Sequence, residues 1–491
     1  MGDAWEIARL TAAELGAAYA DGRLSPTEVV DSALTVVDDA EPEINAFWVR
    51  ADDSARAAAR ESTERWRRGE ARGPLDGVPA TVKENLARAG VPMSAGNAGV
   101  IPVVPERSSP VVERLTEAGA VILGSTVMPD WGMLSSGVSS LHGITRSPWD
   151  PALTTGGSSS GAGAAAAAGY APLNVGTDIG GSIRLPGTWL GLAAFKPSSG
   201  RVPLDTPYLG RVAGPMTRTV EDAALLMSVI SRPDSRDWTA LPPAELPWQE
   251  AGRPTSDVRG LRVGLMLDAG CGMPVDPEIS RIAADAARVF EAAGTIVEPL
   301  APFLTNDLLA DLDTFWRVRS WNDFQGLSRQ GRARVLPFIR RWVEAAADVS
   351  GREVLACYQS IMDIQRRSVA ATLPFDVVLS PVAPVAAFPA EWPMPFGDRD
   401  RGMVHIGFTA PANMSGQPSI SVNAGFTDDG RTVGLAVTGR RFDDLGVLRA
   451  ASWWEAARPA SAQPDWPIRR RTAAGHLRPT DAATPEEAAA G

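Results

Sequence analysis

Gly176-Thr177-Asp178-Ile179-Gly180-Gly181-Ser182-Ile183-Arg184 lies downstream of a second glycine-framed serine run, Gly156-Gly157-Ser158-Ser159-Ser160-Gly161. Glycine lets a backbone approach a ligand closely and adopt conformations that other residues avoid. Neighbouring backbone N–H groups aimed at one spot make an anion-holding concavity, useful wherever an oxyanion develops. Apolar segments flank both runs, so they read as anchored loops rather than free serine-glycine linkers.

Working outward, the alanine-filled stretch 161–169 has strong helix propensity, and 173–175 leads into the second loop. Strand signals stand at 78–83, after the turn Asp76-Gly77, and at 120–123, after a helix over 110–118. Further strands are expected at 261–266, 375–380, 419–423 and 432–437. This alternation predicts an α/β fold with a mixed, mostly parallel central sheet covered by helices on both faces. Residues 1–70 read as a helical segment packing on the core, with capping boxes at Thr11–Glu14 and Ser25–Glu28 and a helix over 50–68. The α/β domain is expected over 71–470, with a mainly helical insertion near 300–372. Residues 471–491, rich in alanine, threonine, proline and glutamate, read as a disordered tail.

The chain has 491 residues, 44% hydrophobic and 21% charged, as in an ordinary soluble protein. A formal net charge of -11 argues against nucleic acid or an acidic membrane surface as a partner. The longest small-apolar run, 162–173, is too short to span a bilayer, and the N-terminus lacks the pattern of a secretory signal. Only Cys271 and Cys357 occur, which excludes a disulfide framework and points to the cytoplasm. With only His142, His405 and His476, no metal site is expected.

A serine hydroxyl is a weak nucleophile until a base removes its proton. With histidine nearly absent, a neutral lysine is the alternative. That requires lowering a pKa of ~10.4 by roughly 3 units through burial and nearby positive charge. Lys83 ends an apolar strand, where a buried amine could be held, and Lys196 in Ala193-Ala194-Phe195-Lys196-Pro197 is a second candidate.

The succession of 77–85, Gly156-Gly157-Ser158-Ser159 and 176–184 resembles the amidase signature family of serine hydrolases. The resemblance extends through Gly214-Pro215-Met216-Thr217-Arg218 and Gly416-Gln417-Pro418-Ser419-Ile420. It implies hydrolysis of amide C–N bonds with no metal or organic cofactor. It implies Ser182 as nucleophile, Ser158 after a cis peptide bond as proton shuttle, and Lys83 as base. The amides of Ile179, Gly180, Gly181 and Ser182 would form the oxyanion hole. Asp178 and Arg184 are expected to support the loop as an ion pair. Ser159 would either donate a hydrogen bond to the relay or cap the following helix.

The segment 125–133 departs from the family's asparagine-then-glutamate pattern, and Met128 and Trp131 are expected to make an apolar, aromatic pocket wall. Trp149, Trp189, Trp316, Trp321 and Trp392 are expected in or near loops, where aromatic side chains beside a cleft would favour flat, apolar ligands. The expected substrate is a small aryl or otherwise hydrophobic amide, anilide or carbamate (urethane). One alternative is an amidotransferase subunit releasing ammonia from glutamine for a partner protein, since the family includes such subunits. A remote alternative takes 157–161 as the nucleophile elbow of an α/β-hydrolase-type esterase, with Ser159 as nucleophile and His405 as base. Oligomeric state is left open, a homodimer included.

Overall fold

In chain order the strands are β1 (Phe47–Arg50), β2 (Pro79–Lys83), β3 (Val121–Thr126), β4 (Val138–Ser139), β5 (Gly143–Ile144), β6 (Leu173–Asp178) and β7 (Ala193–Lys196). They continue with β8 (Val212–Thr217), β9 (Arg262–Leu265), β10 (Ile296–Pro299), β11 (Val377–Pro381), β12 (Ser419–Phe426) and β13 (Thr432–Gly439). The structure, a computed structural model, describes residues 3–254 and 257–468; the tail expected over 471–491 lies outside the described residues.

Apart from the short β4–β5 ribbon, the strands form one 11-stranded sheet in the order β1-β3-β2-β6-β8-β7-β12-β13-β11-β9-β10. The sheet is mixed, as expected, but its parallel share is smaller than the alternation of elements suggests. Parallel pairs occur among β3, β2 and β6 and among β11, β9 and β10. From β6 across to β11 every neighbouring pair is antiparallel. Two inconspicuous strands account for the difference. β7 is four residues long, and β8 carries Gly214 and Pro215, which weaken a strand signal.

The N-terminal helices are α1 (Ala4–Arg9), α2 (Ala12–Ala20), α3 (Pro26–Ile44) and α4 (Asp52–Arg68). Both expected capping boxes form, at Thr11 and Ser25. The segment is not wholly helical, because β1 pairs antiparallel with β3 at the sheet edge. Next come α5 (Pro110–Glu117), α6 (Ser160–Ala167), α7 (Arg184–Leu190), α8 (Val220–Ile230), α9 (Trp248–Ala251) and α10 (Pro277–Ala292). Helices α11 (Asn306–Gln325), α12 (Arg329–Arg334), α13 (Pro337–Glu344) and α14 (Gly351–Thr372) make up the expected helical stretch. Finally α15 (Ala410–Met414) and α16 (Asp444–Ala457) flank the β12–β13 hairpin.

Alternation along β7 shows how both sheet faces are covered. Ala194 belongs to a cluster with Ala162, Ala166 and Leu190 of α6 and α7, while Ala193 and Phe195 join a larger core with residues of α8, α10 and α16. Among the described residues no helix is long and apolar enough to cross a membrane, and no cluster of His, Cys, Asp and Glu could hold a metal ion.

Candidate active site

Strand β2 lies between β3 and β6 and runs parallel to both, so its C-terminal end and that of β6 emerge at the same edge of the sheet. In open α/β sheets that edge is where ligands bind. Lys83 is the last residue of β2 and Asp178 the last of β6. All five β2 residues are buried, and the Lys83 amine is carried into the interior with no exposure. Its Nζ donates to Ser158 Oγ at 2.8 Å and to Ser159 Oγ at 3.0 Å. Burial, reinforced by the guanidinium of Arg211, drives its pKa well below the usual lysine range, against the pull of Asp178 and Glu84. The adjoining Glu84 carboxylate is engaged elsewhere, accepting from Ser94 N at 2.6 Å and contacting His142 Nε2 at 3.1 Å.

The first serine run turns into α6, and the Gly157–Ser158 peptide bond is cis. At Gly157 a Cβ would lie 2.5 Å from Ser136 O, so only glycine lets the chain pass there. Ser159 sits at the N-cap position of α6 without a side-chain capping bond. Its fully buried hydroxyl instead meets Lys83, donates to Thr177 O at 3.0 Å and accepts from Thr177 N at 3.2 Å. Of the two roles expected for Ser159, neither takes the expected form: its hydroxyl accepts from Lys83 and donates to Thr177 O rather than to the relay, and it makes no helix cap. The same saturation disposes of the nucleophile-elbow reading. His405 does not rescue that reading either: its buried ring meets Ser135 Oγ at 2.6 Å, with burial pushing its pKa down to about 3. Lys196 is also buried, but its Nζ donates to Pro197 O at 3.0 Å rather than to a serine.

The second loop is organised by Asp178. Its carboxylate accepts from Gly181 N at 2.7 Å, Ile183 N at 3.0 Å and Arg184 Nε at 3.1 Å. Burial alone would raise its pKa, but the charge and donors of Arg184 outweigh that and hold it below the usual carboxylate range. Asp178 and Arg184 thus form a buried ion pair within the loop. Asn413 on α15 extends the clamp, donating to Asp178 Oδ1 at 2.9 Å and accepting from Arg184 Nη2 at 2.5 Å. Thr409 donates to Gly180 O at 2.6 Å. One expected oxyanion donor needs correction, because the Gly181 amide is already committed to Asp178. Among the described residues the amides of Ile179, Gly180 and Ser182 have no partner within the chain.

Ser182 is half-buried at the junction of two cavities. On one side is a small apolar recess walled by Leu134, Leu185, Trp316, Met403 and Ile406. On the other is a cleft of about 460 Å³ lined also by Ser158, Met128 and Trp131. The two expected wall residues thus line the cleft, Trp131 with a left-handed backbone at φ 51°. Ser158 and Ser182 share that cleft, and Ser159 N donates to Ser182 O at 3.1 Å, but their hydroxyls are not hydrogen-bonded to each other among the described residues.

Of the other tryptophans, Trp149 and Trp392 lie in loops as expected, and the rest do not. Trp189, Trp316 and Trp321 lie on helices, Trp149 packs at a tilt against Trp466, and Trp392 is a surface residue. Of these only Trp316 reaches a site cavity. Sequence reasoning missed Asn413, Thr409 and Arg211, whose roles arise from contacts across the fold and leave no local pattern.

These loops, at the end of a mixed sheet, define an amide-cleaving class of enzyme. The family model for amidases matches residues 28–448, and the chain belongs to the amidase signature family. It is a hydrolase acting on amide C–N bonds. It is 33% identical over 461 residues to an acylamidase of Rhodococcus erythropolis, covering 92% of this chain and 96% of that protein. It is 32% identical over 502 residues to a glutamyl-tRNA(Gln) amidotransferase subunit of Chloroflexus aggregans, covering 95% and 98%. Among solved structures, a bacterial aryl acylamidase superposes with a TM-score of 0.85 at 30% identity, covering 94% of this chain and 99% of that one.

Proposed function

We propose that the protein hydrolyses aryl or otherwise hydrophobic amides, anilides or carbamates through an ester on Ser182. The observation that carries this reading is the buried Lys83 amine, hydrogen-bonded to Ser158 Oγ at 2.8 Å behind the cleft that holds Ser182. Neutral Lys83 takes the Ser158 proton as Ser158 takes that of Ser182, whose Oγ attacks the carbonyl. The carbonyl oxygen, now anionic, is met by the unpartnered amides of Ile179, Gly180 and Ser182. The relay returns the proton to the leaving nitrogen as the C–N bond breaks. Water then repeats the attack on the ester and frees Ser182. The apolar recess and the Met128–Trp131 wall support a hydrophobic group on the substrate.

The similarity to the amidotransferase subunit favours a second reading, release of ammonia from glutamine for a partner. A panel of a 4-nitroanilide, a phenyl carbamate, acetamide and glutamine separates the two. We expect the first two to turn over at least about tenfold faster in kcat/KM, and Ser182→Ala to abolish both that turnover and labelling by a fluorophosphonate. Glutamine as the preferred substrate would support the second reading.

A further inference from the structure

The cleft holds two guanidiniums that take no direct part in the proton relay. Arg211 ends the 205–211 loop and Arg319 projects from α11; both line the same cleft as Ser158 and Ser182. Arg211 Nη2 has one long hydrogen bond, 3.4 Å to Asn85 O. Arg319 packs over the Tyr208 ring at 5.2 Å and touches Met133 Sδ at 2.8 Å, a weak acceptor. Among the described residues neither of these half-buried guanidiniums has a carboxylate within ion-pair distance, whereas the fully buried Arg184 is paired with Asp178. Two like charges beside each other in a cleft, with only weak acceptors, cost stability unless a ligand supplies the counter-charge.

We propose that Arg211 and Arg319 form a subsite for a carboxylate carried by the substrate, so that the enzyme acts on amides whose far end is anionic. This rests on the proposed amidase function and names the substrate class of that same site. Guanidinium forks suit a planar carboxylate, which accepts two parallel hydrogen bonds. Burial and then the like charge of Arg319 push the Arg211 pKa down to about 10, consistent with an uncompensated pair. Three acids also line the cleft, and among the described residues none is within ion-pair distance of Arg211 or Arg319; Asp178 is already paired with Arg184. Asp323 lies one helical turn beyond Arg319, and burial raises its pKa against the longer-range attraction of that guanidinium; Asp205 makes no ion pair among the described residues. Ser182 then sits between an apolar recess and an anion-binding cleft, a polarity suited to a substrate with one hydrophobic end and one carboxylate end.

Two matched pairs test this on the full-length enzyme. Glutaryl 4-nitroanilide against its methyl ester places the charge on the acyl side, and 4-acetamidobenzoate against its methyl ester places it on the amine side. Wild type is expected to cleave the anilide bond of the free acid at least about tenfold faster in kcat/KM than that of the ester in one pair. Arg211→Gln and Arg319→Gln should each bring that ratio towards one. An ester equal to or better than its acid in both pairs, or a ratio unmoved in both folded variants, overturns the subsite. Binding separates this from failure of the amidase reading. By calorimetry 4-nitrobenzoate should bind wild type more tightly than 4-nitrobenzamide, and added salt should erode the difference. If none of the four compounds is hydrolysed but that preference exists, the subsite stands and the amidase reading falls. If no preference exists in binding or turnover, the subsite falls.

Discussion

The lysine at the end of β2 is the residue on which the chemistry turns, because its amine has two serine hydroxyls and no carboxylate as hydrogen-bond partners, and burial outweighs the pull of Asp178 and Glu84. Lys83→Ala should lower kcat by about 10²–10⁴, the usual worth of a positioned general base. Circular dichroism should remain native, since the loss is of a proton acceptor at a strand end. His405→Ala should leave kcat within a few-fold, because among the described residues its ring hydrogen-bonds to Ser135 and packs on Phe396 rather than meeting Ser158, Ser159 or Ser182. A large loss of kcat in that variant, with the fold intact, would reinstate a histidine-based mechanism. The pH profile carries a definite sign. Burial disfavours the ammonium, so kcat/KM should rise with pH through an apparent pKa below the ordinary lysine value and then level off. Arg211 adds to that depression, so Arg211→Gln should move the acid limb to higher pH. A limb that stays in place, or moves towards acid, would show that Arg211 does not act on the amine.

At the scale of elements, the nucleophile loop is held from below by one carboxylate rather than by its own sequence. Asp178→Asn removes the counter-charge of the buried Arg184 and weakens the acceptor for Gly181 and Ile183. Breaking a buried pair in this way costs about 3–5 kcal/mol, so a lower denaturant midpoint with an unchanged slope is expected, along with loss of activity. Asp178 and Arg184 could be paired from sequence because they bracket the same short loop. Asn413 and Thr409, which complete the clamp from the far end of the chain, could not, since no spacing relates them to it. The apolar run of β2 was legible, and so was the alanine helix after the first serine run. β8 was not, because Gly214 and Pro215 disguise it, and with it went the antiparallel middle of the sheet. Trp131 was legible as a departure from the family pattern. That α11 would bring Trp316 and Arg319 to opposite cavities beside Ser182 was not, because a helix that is polar on most sides gives no sign of which face meets a site.

Across the whole molecule, the first seventy residues look like an appendage in sequence, yet the site leans on them. β1 closes the sheet edge against β3, and Val127 N donates to Ala46 O at 2.9 Å just before the Met128–Trp131 wall. Behind Lys83, Glu84 contacts His142, whose carbonyl accepts from Asn45 Nδ2 at 2.6 Å. The turn into β2 is tied the same way. Asp76 is fully buried and takes Arg65 Nε at 2.9 Å and Ser62 Oγ at 2.8 Å, while Tyr19 OH reaches Gly77 O at 3.2 Å. A core without residues 1–70 would bury Asp76 with no cation and expose the β3 edge and the apolar cluster beneath α3. Those losses fall on the strands that carry the lysine and the pocket wall, so they cannot be confined to the surface. We therefore expect deletion of 1–70 to yield no cooperatively melting protein, and limited proteolysis of the full chain to release no stable fragment beginning near residue 71. A soluble truncated core with a sharp thermal transition would show instead that the N-terminal helices are a separable layer. Arg65→Met is the sharper test of the same coupling. It keeps the apolar stem and removes the guanidinium that meets Asp76, so a loss of stability in that variant locates the dependence in the ion pair rather than in the bulk of the deleted segment.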